Sequence, residues 1–218
     1  MHRRYTSILF DLDGTLVDTA PGITSCIAYT LETLGWPQES PEQLLLHCGP
    51  PLYTGFTDIS GMPADTAQRA VAVYRERYVA TGISRSQVFP GIQDLLETLH
   101  RRGHPLAVAT SKSEDTAVQM LTHFGIASLF TTITGADPAS GRSAKADVVR
   151  TACERLARSG ADVTAPLLIG DRIFDVDGGR QAGVDVLGVR WGYAPDDEEL
   201  SGAIQILDTP EDVAAFLE

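Results

Sequence analysis

Residues 8–19 read Ile-Leu-Phe-Asp-Leu-Asp-Gly-Thr-Leu-Val-Asp-Thr, an apolar run that ends in two closely spaced aspartates. Residues 8–10 have the length and apolar character of a buried β-strand. Asp11 and Asp13 follow that strand, and carboxylates beside a buried strand are costly unless an opposite charge compensates them. A divalent cation that prefers oxygen ligands, above all Mg²⁺, is a common partner for such a pair. The same residues also occur in ordinary acidic turns, so the rest of the chain must decide between the two interpretations.

Further apolar runs predict that this strand belongs to a parallel sheet. Runs of strand length lie at residues 7–10, 106–109, 129–133, 167–169 and 186–189. Apolar residues at helical spacing lie between them at residues 92–102, 114–124 and 144–158. Strands that alternate with helices favour right-handed βαβ units and a sheet covered on both faces. We therefore predict an α/β fold with a Rossmann-like parallel sheet core.

One long segment, residues 19–85, has no strand-like run. Helix-like stretches at residues 22–34, 41–47 and 64–81 are separated there by loops rich in Gly and Pro. This pattern predicts an all-helical cap domain inserted after the first strand. The Rossmann-like catalytic core then consists of residues 1–18 and 86–218, with hinges near residues 17–21 and 82–91.

Composition excludes several kinds of partner. The formal net charge is −12, from 17 basic and 29 acidic residues. Nucleic acid polymers and anionic membranes need a basic surface, so neither is expected as a partner. The start of the chain lacks a signal-peptide pattern, no run approaches the length of a membrane span, and the three cysteines are scattered and odd in number. We expect a cytoplasmic protein with reduced thiols; the oligomeric state stays open.

Polar side chains of complementary chemistry follow several predicted strands. Because ligands of a parallel sheet bind beyond the carboxyl ends of its strands, we expect these side chains to converge at one edge. The lysines among them, Lys112 and Lys145, are the only two in the chain. The converging groups are Asp11 and Asp13, then Thr110, Ser111 and Lys112, then Lys145, and finally Asp171 with Asp175.

Phosphoryl transfer is the chemistry that uses this combination of groups. A carboxylate can attack phosphorus, and an oxygen-ligated cation must then offset the repulsion between carboxylate and phosphate. Asp11, Asp171 and a backbone carbonyl near Asp13 are candidate Mg²⁺ ligands. A lysine and a hydroxyl would neutralise and orient the phosphate oxygens. The Asp13 carboxyl is placed to protonate the departing alcohol and later to accept a proton from water.

The motifs resemble those of phosphatases of the haloacid dehalogenase superfamily with a helical cap, and most of all the phosphoglycolate phosphatase-like group. The first motif, Asp-x-Asp-Gly-Thr-x-x-Asp-Thr, begins at Asp11, and the fourth, Gly-Asp-x-x-x-Asp, begins at Gly170. The second motif is Thr110 at a strand end, and the third is Lys145. The resemblance covers nearly the whole chain. It departs from the pattern at the third motif, where many members have Lys-Pro but this chain has Lys145 followed by Ala146, a variant similar to that of some bacterial nucleotidase-like members.

The resemblance implies a role for each motif residue. It makes Asp11 the nucleophile and Asp13 the general acid and base. It assigns Thr110 and Ser111 to phosphate binding, and Lys145 to stabilisation of the nucleophile and the phosphate, with Arg142 a weaker candidate for that role. It makes Asp171 a direct Mg²⁺ ligand, and Asp175 a residue that orients the site without binding the ion itself.

The resemblance implies Mg²⁺-dependent hydrolysis of a small phosphomonoester, with phosphoglycolate as the first candidate substrate. A nucleoside 5′-monophosphate is the alternative substrate. A small acid would call for a cap arginine such as Arg75, whereas a nucleoside would call for an aromatic surface from Tyr53, Phe56 or Tyr74. An inactive regulatory protein that uses the same fold to bind a partner is the alternative from a different class.

Overall fold

The computed structural model describes residues 4–218, and the first residues of the predicted core, 1–3, lie outside the described residues. The chain divides into two compact units. The first unit comprises Met1–Val17 and Val88–Glu218, and the second comprises Asp18–Gln87. The predicted boundaries at residues 18/19 and 85/86 lie close to these positions. That the second unit acts as a cap stays a prediction.

The first unit is built on a six-stranded parallel sheet with the order β5-β4-β1-β6-β7-β8. Two further short strands, β2 and β3, lie where the chain passes between the units and form a separate two-stranded sheet. The strands are β1 (Ser7–Phe10), β2 (Val17–Asp18), β3 (Gln87–Val88), β4 (Leu106–Ser113), β5 (Thr132–Ala136), β6 (Pro166–Gly170), β7 (Asp185–Val189) and β8 (Gln205–Leu207).

Five helices belong to the first unit and four to the second, counted over residues 4–218. They are α1 (Ala20–Thr33), α2 (Pro41–Leu45), α3 (Leu52–Thr54), α4 (Ala64–Arg77), α5 (Ile92–Arg101), α6 (Glu114–His123), α7 (Lys145–Arg158), α8 (Ile173–Ala182) and α9 (Pro210–Phe216). Single π-helical turns follow α3 and α4 at Gly55–Ile59 and Tyr78–Gly82. The α/β fold with a parallel sheet, predicted from sequence, is confirmed.

Strand β1 lies near the centre of the sheet and is buried completely on both faces. All four of its residues are inaccessible to solvent, and it pairs with β4 on one side and β6 on the other. The chain therefore builds outward from β1 in one direction through β4 and β5, and in the other through β6, β7 and β8. Where the order of strand addition reverses in this way, a parallel sheet opens a crevice beyond the carboxyl ends of its strands.

Several elements differ from the sequence prediction, and three of the differences have a clear physical reason. The strand expected at 129–133 begins at Thr132, because Ala127–Leu129 forms a 3₁₀ turn. Strand β8 has only three residues, too few for an alternating pattern to be recognised. Helix α8 has little helical periodicity in its sequence, because Gly178 and Gly179 occupy positions where it packs closely on its neighbours.

The second unit has its own apolar interior, which includes two of the aromatic residues predicted as a substrate-binding surface. Phe56 is fully buried and Tyr74 is 7% exposed. The Phe56 and Tyr74 rings meet edge to face at 6.5 Å, and Tyr74 stacks on Tyr78 at 5.4 Å. The suggestion that Phe56 or Tyr74 forms an open aromatic surface is therefore wrong, because both rings complete the core of this unit. Tyr53, which is 42% exposed, remains available for that role.

Among residues 4–218, no helix combines the length and the apolar character that crossing a membrane requires.

Candidate active site

The first, second and fourth motifs meet at the carboxyl edge of the sheet. Asp11 follows β1, Thr110 lies within β4 and Asp171 follows β6, and these three strands are neighbours. The Asp11 amide donates a hydrogen bond to the carbonyl of Ile169 at 2.9 Å, which continues the ladder one residue beyond β1. The parallel register thus brings together residues that are as much as 160 positions apart in the chain, counted from Asp11 to Asp171.

Lys145 joins two of the carboxylates at this edge. Its Nζ atom lies 2.7 Å from Asp11 Oδ1 and 2.6 Å from Asp175 Oδ1. The residue occupies the first position of α7, and its side chain is only 7% exposed. Gly178 of α8 packs against its stem, because a Cβ atom at that glycine would lie 2.5 Å from Lys145 Cγ. The ammonium group is therefore held in place between two carboxylates with little freedom to move.

Asp171 is fully buried, and both of its oxygens accept hydrogen bonds. Thr15 Oγ1 donates to Oδ1 at 2.8 Å, and the Tyr193 amide donates to Oδ2 at 2.8 Å. Gly14 has a φ of +82°, and a Cβ atom there would collide with the Asp171 carboxylate. The glycine of the first motif is thus required both for its backbone conformation and for the close approach of this side chain.

Asp175 is held by the backbone at the start of α8. Its Oδ2 atom accepts hydrogen bonds from the amides of Asp171 and Arg172 at 3.1 and 3.0 Å. Its other oxygen, Oδ1, faces Lys145. This carboxylate therefore links the helix start, the Asp171 backbone and the lysine.

Electrostatically, the site carries more buried negative charge than positive charge. Burial raises the pKa of Asp11 to about 6, although the charge of Lys145 opposes that shift. Burial, followed by the charges of Asp175 and Asp11, raises the pKa of Asp171 well above its ordinary value. Burial alone would lower the pKa of Lys145, but the charges of Asp11 and Asp175 outweigh it and raise the pKa. Three buried carboxylates thus lie close together, the Lys145 ammonium group pairs with two of them, Asp11 and Asp175, and a further cation would relieve the remaining repulsion.

The arrangement of these oxygens is compatible with a divalent metal ion. Asp11, Asp171 and Asp175 each offer a carboxylate oxygen, and these oxygens lie within 4.8 Å of one another. A buried set of hard oxygen ligands suits Mg²⁺. Asp175 is part of this group, although we predicted that it would only support the ligands. The carboxylate of Asp13, by contrast, is not part of this group. The backbone carbonyl of Asp13 therefore stays the predicted Mg²⁺ ligand from that residue.

Asp13 and the second motif lie beside this acidic group. Lys112 Nζ lies 2.9 Å from Asp13 Oδ1, with the two side chains 10% and 14% exposed. Thr110 is buried, and its hydroxyl accepts a hydrogen bond from the Lys112 amide at 3.2 Å, while Ser111 is half-buried. The two lysines of the chain therefore pair with the first two aspartates of the first motif, Lys145 with Asp11 and Lys112 with Asp13.

The two arginines considered from sequence have different surroundings. Arg142 donates to Glu114 at 2.7 Å and to the carbonyl of Gly135 at 2.7 Å, so the structure shows it bound away from Asp11. Arg75 is exposed on α4 of the second unit. Its contact with substrate stays a prediction.

Several residues that organise the site were not recognised from sequence. The sequence identifies Thr15 as part of the first motif but does not predict its hydrogen bond to Asp171. Tyr193 and Gly178 act through a backbone amide and through the absence of a side chain, and neither feature leaves a pattern in a single sequence.

Comparison with known proteins places this site in a family. The family model described as haloacid dehalogenase-like hydrolase matches residues 8–189. The chain is 39% identical to a Pseudomonas aeruginosa protein named 5′-nucleotidase, over 89% of this chain and 87% of that protein. It is 33% identical to a Caulobacter vibrioides protein named phosphoglycolate phosphatase, over 95% of this chain and 88% of that protein.

A solved structure shares both the fold and a substantial part of the sequence. The structure of Mycobacterium tuberculosis Protein Tyrosine Kinase A (PtkA) superposes with a TM-score of 0.83 at 35% identity, covering 98% of each chain. This chain spans 62% of the length of the curated M. tuberculosis protein of that name. The resemblance of the four motifs to those of a phosphatase of the haloacid dehalogenase superfamily is thereby confirmed, and the chain belongs to the haloacid dehalogenase-like hydrolase family.

Proposed function

We propose that the protein is a Mg²⁺-dependent phosphomonoesterase that forms a covalent aspartyl phosphate on Asp11. One observation carries this proposal. The Asp11 carboxylate lies at the carboxyl end of the central strand, 2.7 Å from the Lys145 ammonium group, within a buried acidic group that suits a divalent cation. A nucleophilic carboxylate needs this combination, because it must be ionised and must approach an anionic phosphate.

In the first proposed step, an Asp11 oxygen forms a bond to phosphorus while the bond from phosphorus to the ester oxygen breaks. The departing alcohol takes a proton from Asp13, which is its general acid. Lys145 neutralises charge on Asp11 and the phosphate, and the Thr110 hydroxyl and the Ser111 segment orient the phosphate oxygens. The product of this step is an acyl phosphate on Asp11 and a free alcohol.

In the second proposed step, water attacks the phosphorus of the acyl phosphate. Asp13 now accepts the proton from that water, and the bond between phosphorus and the Asp11 oxygen breaks. Inorganic phosphate leaves, and both aspartates return to their starting states. The Lys112 contact holds the Asp13 carboxyl in one orientation for the two proton transfers.

The proposed Mg²⁺ ligands are Asp11, Asp171 and the backbone carbonyl of Asp13, with Asp175 supporting them through its contacts with Lys145 and the Asp171 amide. When bound, Mg²⁺ offsets the negative charge that otherwise separates the nucleophile from the phosphate. Thr15 and the Tyr193 amide orient Asp171, so the chain prepares this ligand before any ion arrives.

Two substrates are proposed, both small phosphorylated metabolites. Phosphoglycolate is favoured by the overall motif pattern and by the relative of that name. A nucleoside 5′-monophosphate is favoured by the 39% identity with the protein named 5′-nucleotidase and by the absence of proline after Lys145. We propose that residues 18–87 act as a cap that selects the leaving group. Exposed Arg75 is the candidate contact for the carboxylate of a small acid, and exposed Tyr53 is the candidate contact for a nucleobase. A cytoplasmic location stays a prediction.

A phosphate-release assay tests the proposal. Wild type and Asp11→Asn are compared with Mg²⁺ on phosphoglycolate, nucleoside monophosphates, sugar phosphates and phosphotyrosine. Asp197→Asn is a matched control, because it removes the same charge from an exposed aspartate that pairs with Arg190. We expect Asp11→Asn to be inactive and Asp197→Asn to be normal. Activity that survives in Asp11→Asn would refute the covalent route, and a lack of hydrolysis on every ester would favour the inactive regulatory protein.

A further inference from the structure

The start of α7 has to place Lys145 accurately, but it lacks the local features that usually define a helix start. Ala144 occupies the N-cap position and has no side chain that could accept a hydrogen bond from the first turn. Residue 146 is alanine, so no proline restricts the backbone there. Ala144 and Ser143 are both exposed, so packing does not fix these two residues, although Lys145 and Ala146 after them are buried. Some other contact must hold the segment that precedes Lys145.

A partly buried network around Glu114 provides that contact. Glu114 accepts bonds from Arg142 Nη2 at 2.7 Å and from Arg155 Nη1 and Nη2 at 2.9 and 3.2 Å. It also accepts a bond from the Gly135 amide at 3.2 Å, while Arg142 Nε donates to the Gly135 carbonyl at 2.7 Å. The Arg142 side chain is only 10% exposed and that of Glu114 is 28% exposed. Charge-assisted bonds of this kind are stronger than neutral ones and set orientation as well as distance.

The network connects the elements that carry two predicted phosphate-contacting residues. Glu114 is the first residue of α6, directly after the strand that contains Thr110. Arg142 closes the loop that ends three residues before Lys145, where its backbone exchanges two hydrogen bonds with Asp137 at 2.7 and 3.0 Å. Arg155 lies on α7 itself, the helix that Lys145 begins. One carboxylate thus joins the start of α6, the loop before α7 and the body of α7.

We propose that Glu114 is a positioning residue, which acts through Arg142 and Arg155 to hold Lys145 against Asp11. This inference rests on the proposed function, in which Lys145 stabilises the nucleophile and the phosphate. Glu114 touches neither Lys145 nor Asp11 itself, and its influence is the placement of the α7 start. In this chain the Glu114 network takes over the task that a cap or a proline performs at other helix starts.

A double-mutant cycle tests the proposal. The kcat and KM for the best phosphomonoester are measured for wild type, Glu114→Gln, Lys145→Arg and the double variant. We expect Glu114→Gln to lower kcat about tenfold, the effect of losing roughly one charge-assisted hydrogen bond. If Glu114 acts through Lys145, adding Glu114→Gln to Lys145→Arg lowers kcat little further. A purely structural role predicts that the two effects multiply, and that result would overturn the proposal.

Two further variants keep the test decisive. If Glu114→Gln does not fold, Arg142→Gln breaks the same link while the Arg155 contact remains, and the same non-additivity with Lys145→Arg is expected. In Glu114→Gln, the change Ala144→Ser supplies a capping hydroxyl at an exposed position and should restore part of the lost kcat. Failure of this rescue together with multiplying effects would overturn the proposal. Asp11→Asn in the same series distinguishes a failure of the proposed function from a failure of the positioning role of Glu114. Full activity of Asp11→Asn would refute the proposed function, whereas multiplying effects of Glu114→Gln and Lys145→Arg would refute the positioning role.

Discussion

Replacing Thr15 with valine should destabilise the metal-free protein by an amount that depends on the charge of Asp171. The substitution keeps the shape of the side chain and removes a hydroxyl that donates to Asp171 Oδ1 at 2.8 Å, and both residues are fully buried. Hydrogen bonds to charged groups stabilise proteins by about 1.5–3 kcal/mol. Asp171 keeps the Tyr193 amide, so we expect a loss of about 2 kcal/mol in the free energy of unfolding.

The loss should grow with pH because Thr15 stabilises the ionised form of Asp171. Burial raises the pKa of Asp171, and the Thr15 hydrogen bond opposes that shift. Without the hydroxyl the folded pKa rises further, so the folded variant binds the proton more tightly than the folded wild type does. The variant is therefore least affected at a pH where Asp171 is protonated, and its deficit increases as the pH rises through that ionisation.

Urea unfolding with EDTA, followed across pH, measures both effects. Thr151→Val is the matched control, because Thr151 donates to the neutral backbone carbonyl of Asp147 at 2.8 Å within the same unit. We expect that control to lose less than about 1 kcal/mol, with no dependence on the ionisation of Asp171. If Thr15→Val lost no more stability than Thr151→Val, or if its deficit stayed constant with pH, the assignment of Thr15 as a stabiliser of charged Asp171 would be refuted.

Three further predictions concern the same edge of the sheet. Gly178→Ala places a methyl group 2.5 Å from Lys145 Cγ and should lower kcat about tenfold or more in steady-state assays; an unchanged kcat would contradict the close packing. Burial raises the pKa of Asp11 from 3.8 to about 6, so the folded protein binds the Asp11 proton more tightly than the unfolded chain does. The metal-free wild type should therefore lose stability relative to Asp11→Asn as the pH rises from about 4 to about 6. A stability difference that did not change with pH would count against this. Calorimetry at pH 8 tests the proposed Mg²⁺ site: an ion that binds the folded state in preference to the unfolded state raises the Tm, so we expect Mg²⁺ to raise the Tm of wild type and Asp171→Asn to remove most of that shift.

Local sequence was sufficient to predict those strands and helices whose hydrophobic pattern is complete within a few adjacent residues. Strand β1 spans Ser7–Phe10, the residues predicted for it, and it ends where its apolar run ends. The helices that begin at Ile92 and Glu114 also start as predicted, because their apolar residues recur on one face. Helix α8 and strand β8 were not predicted, since one depends on two glycines for packing and the other pairs through only three residues.

The order of the motifs, and with it the family, follows from the sequence alone, because Asp11, Lys145 and Asp171 are recognised from residue type and from their positions next to predicted strands and helices. Tertiary structure alone decided which groups touch. The contacts of Thr15 with Asp171, and of Lys145 with Asp11, join residues 156 and 134 positions apart. It also decided that Phe56 and Tyr74 are core residues of the second unit, since an aromatic residue serves equally well in a core or on a surface until its neighbours are known. Such contacts follow from strand register and helix packing over the whole chain, and a local pattern does not contain them.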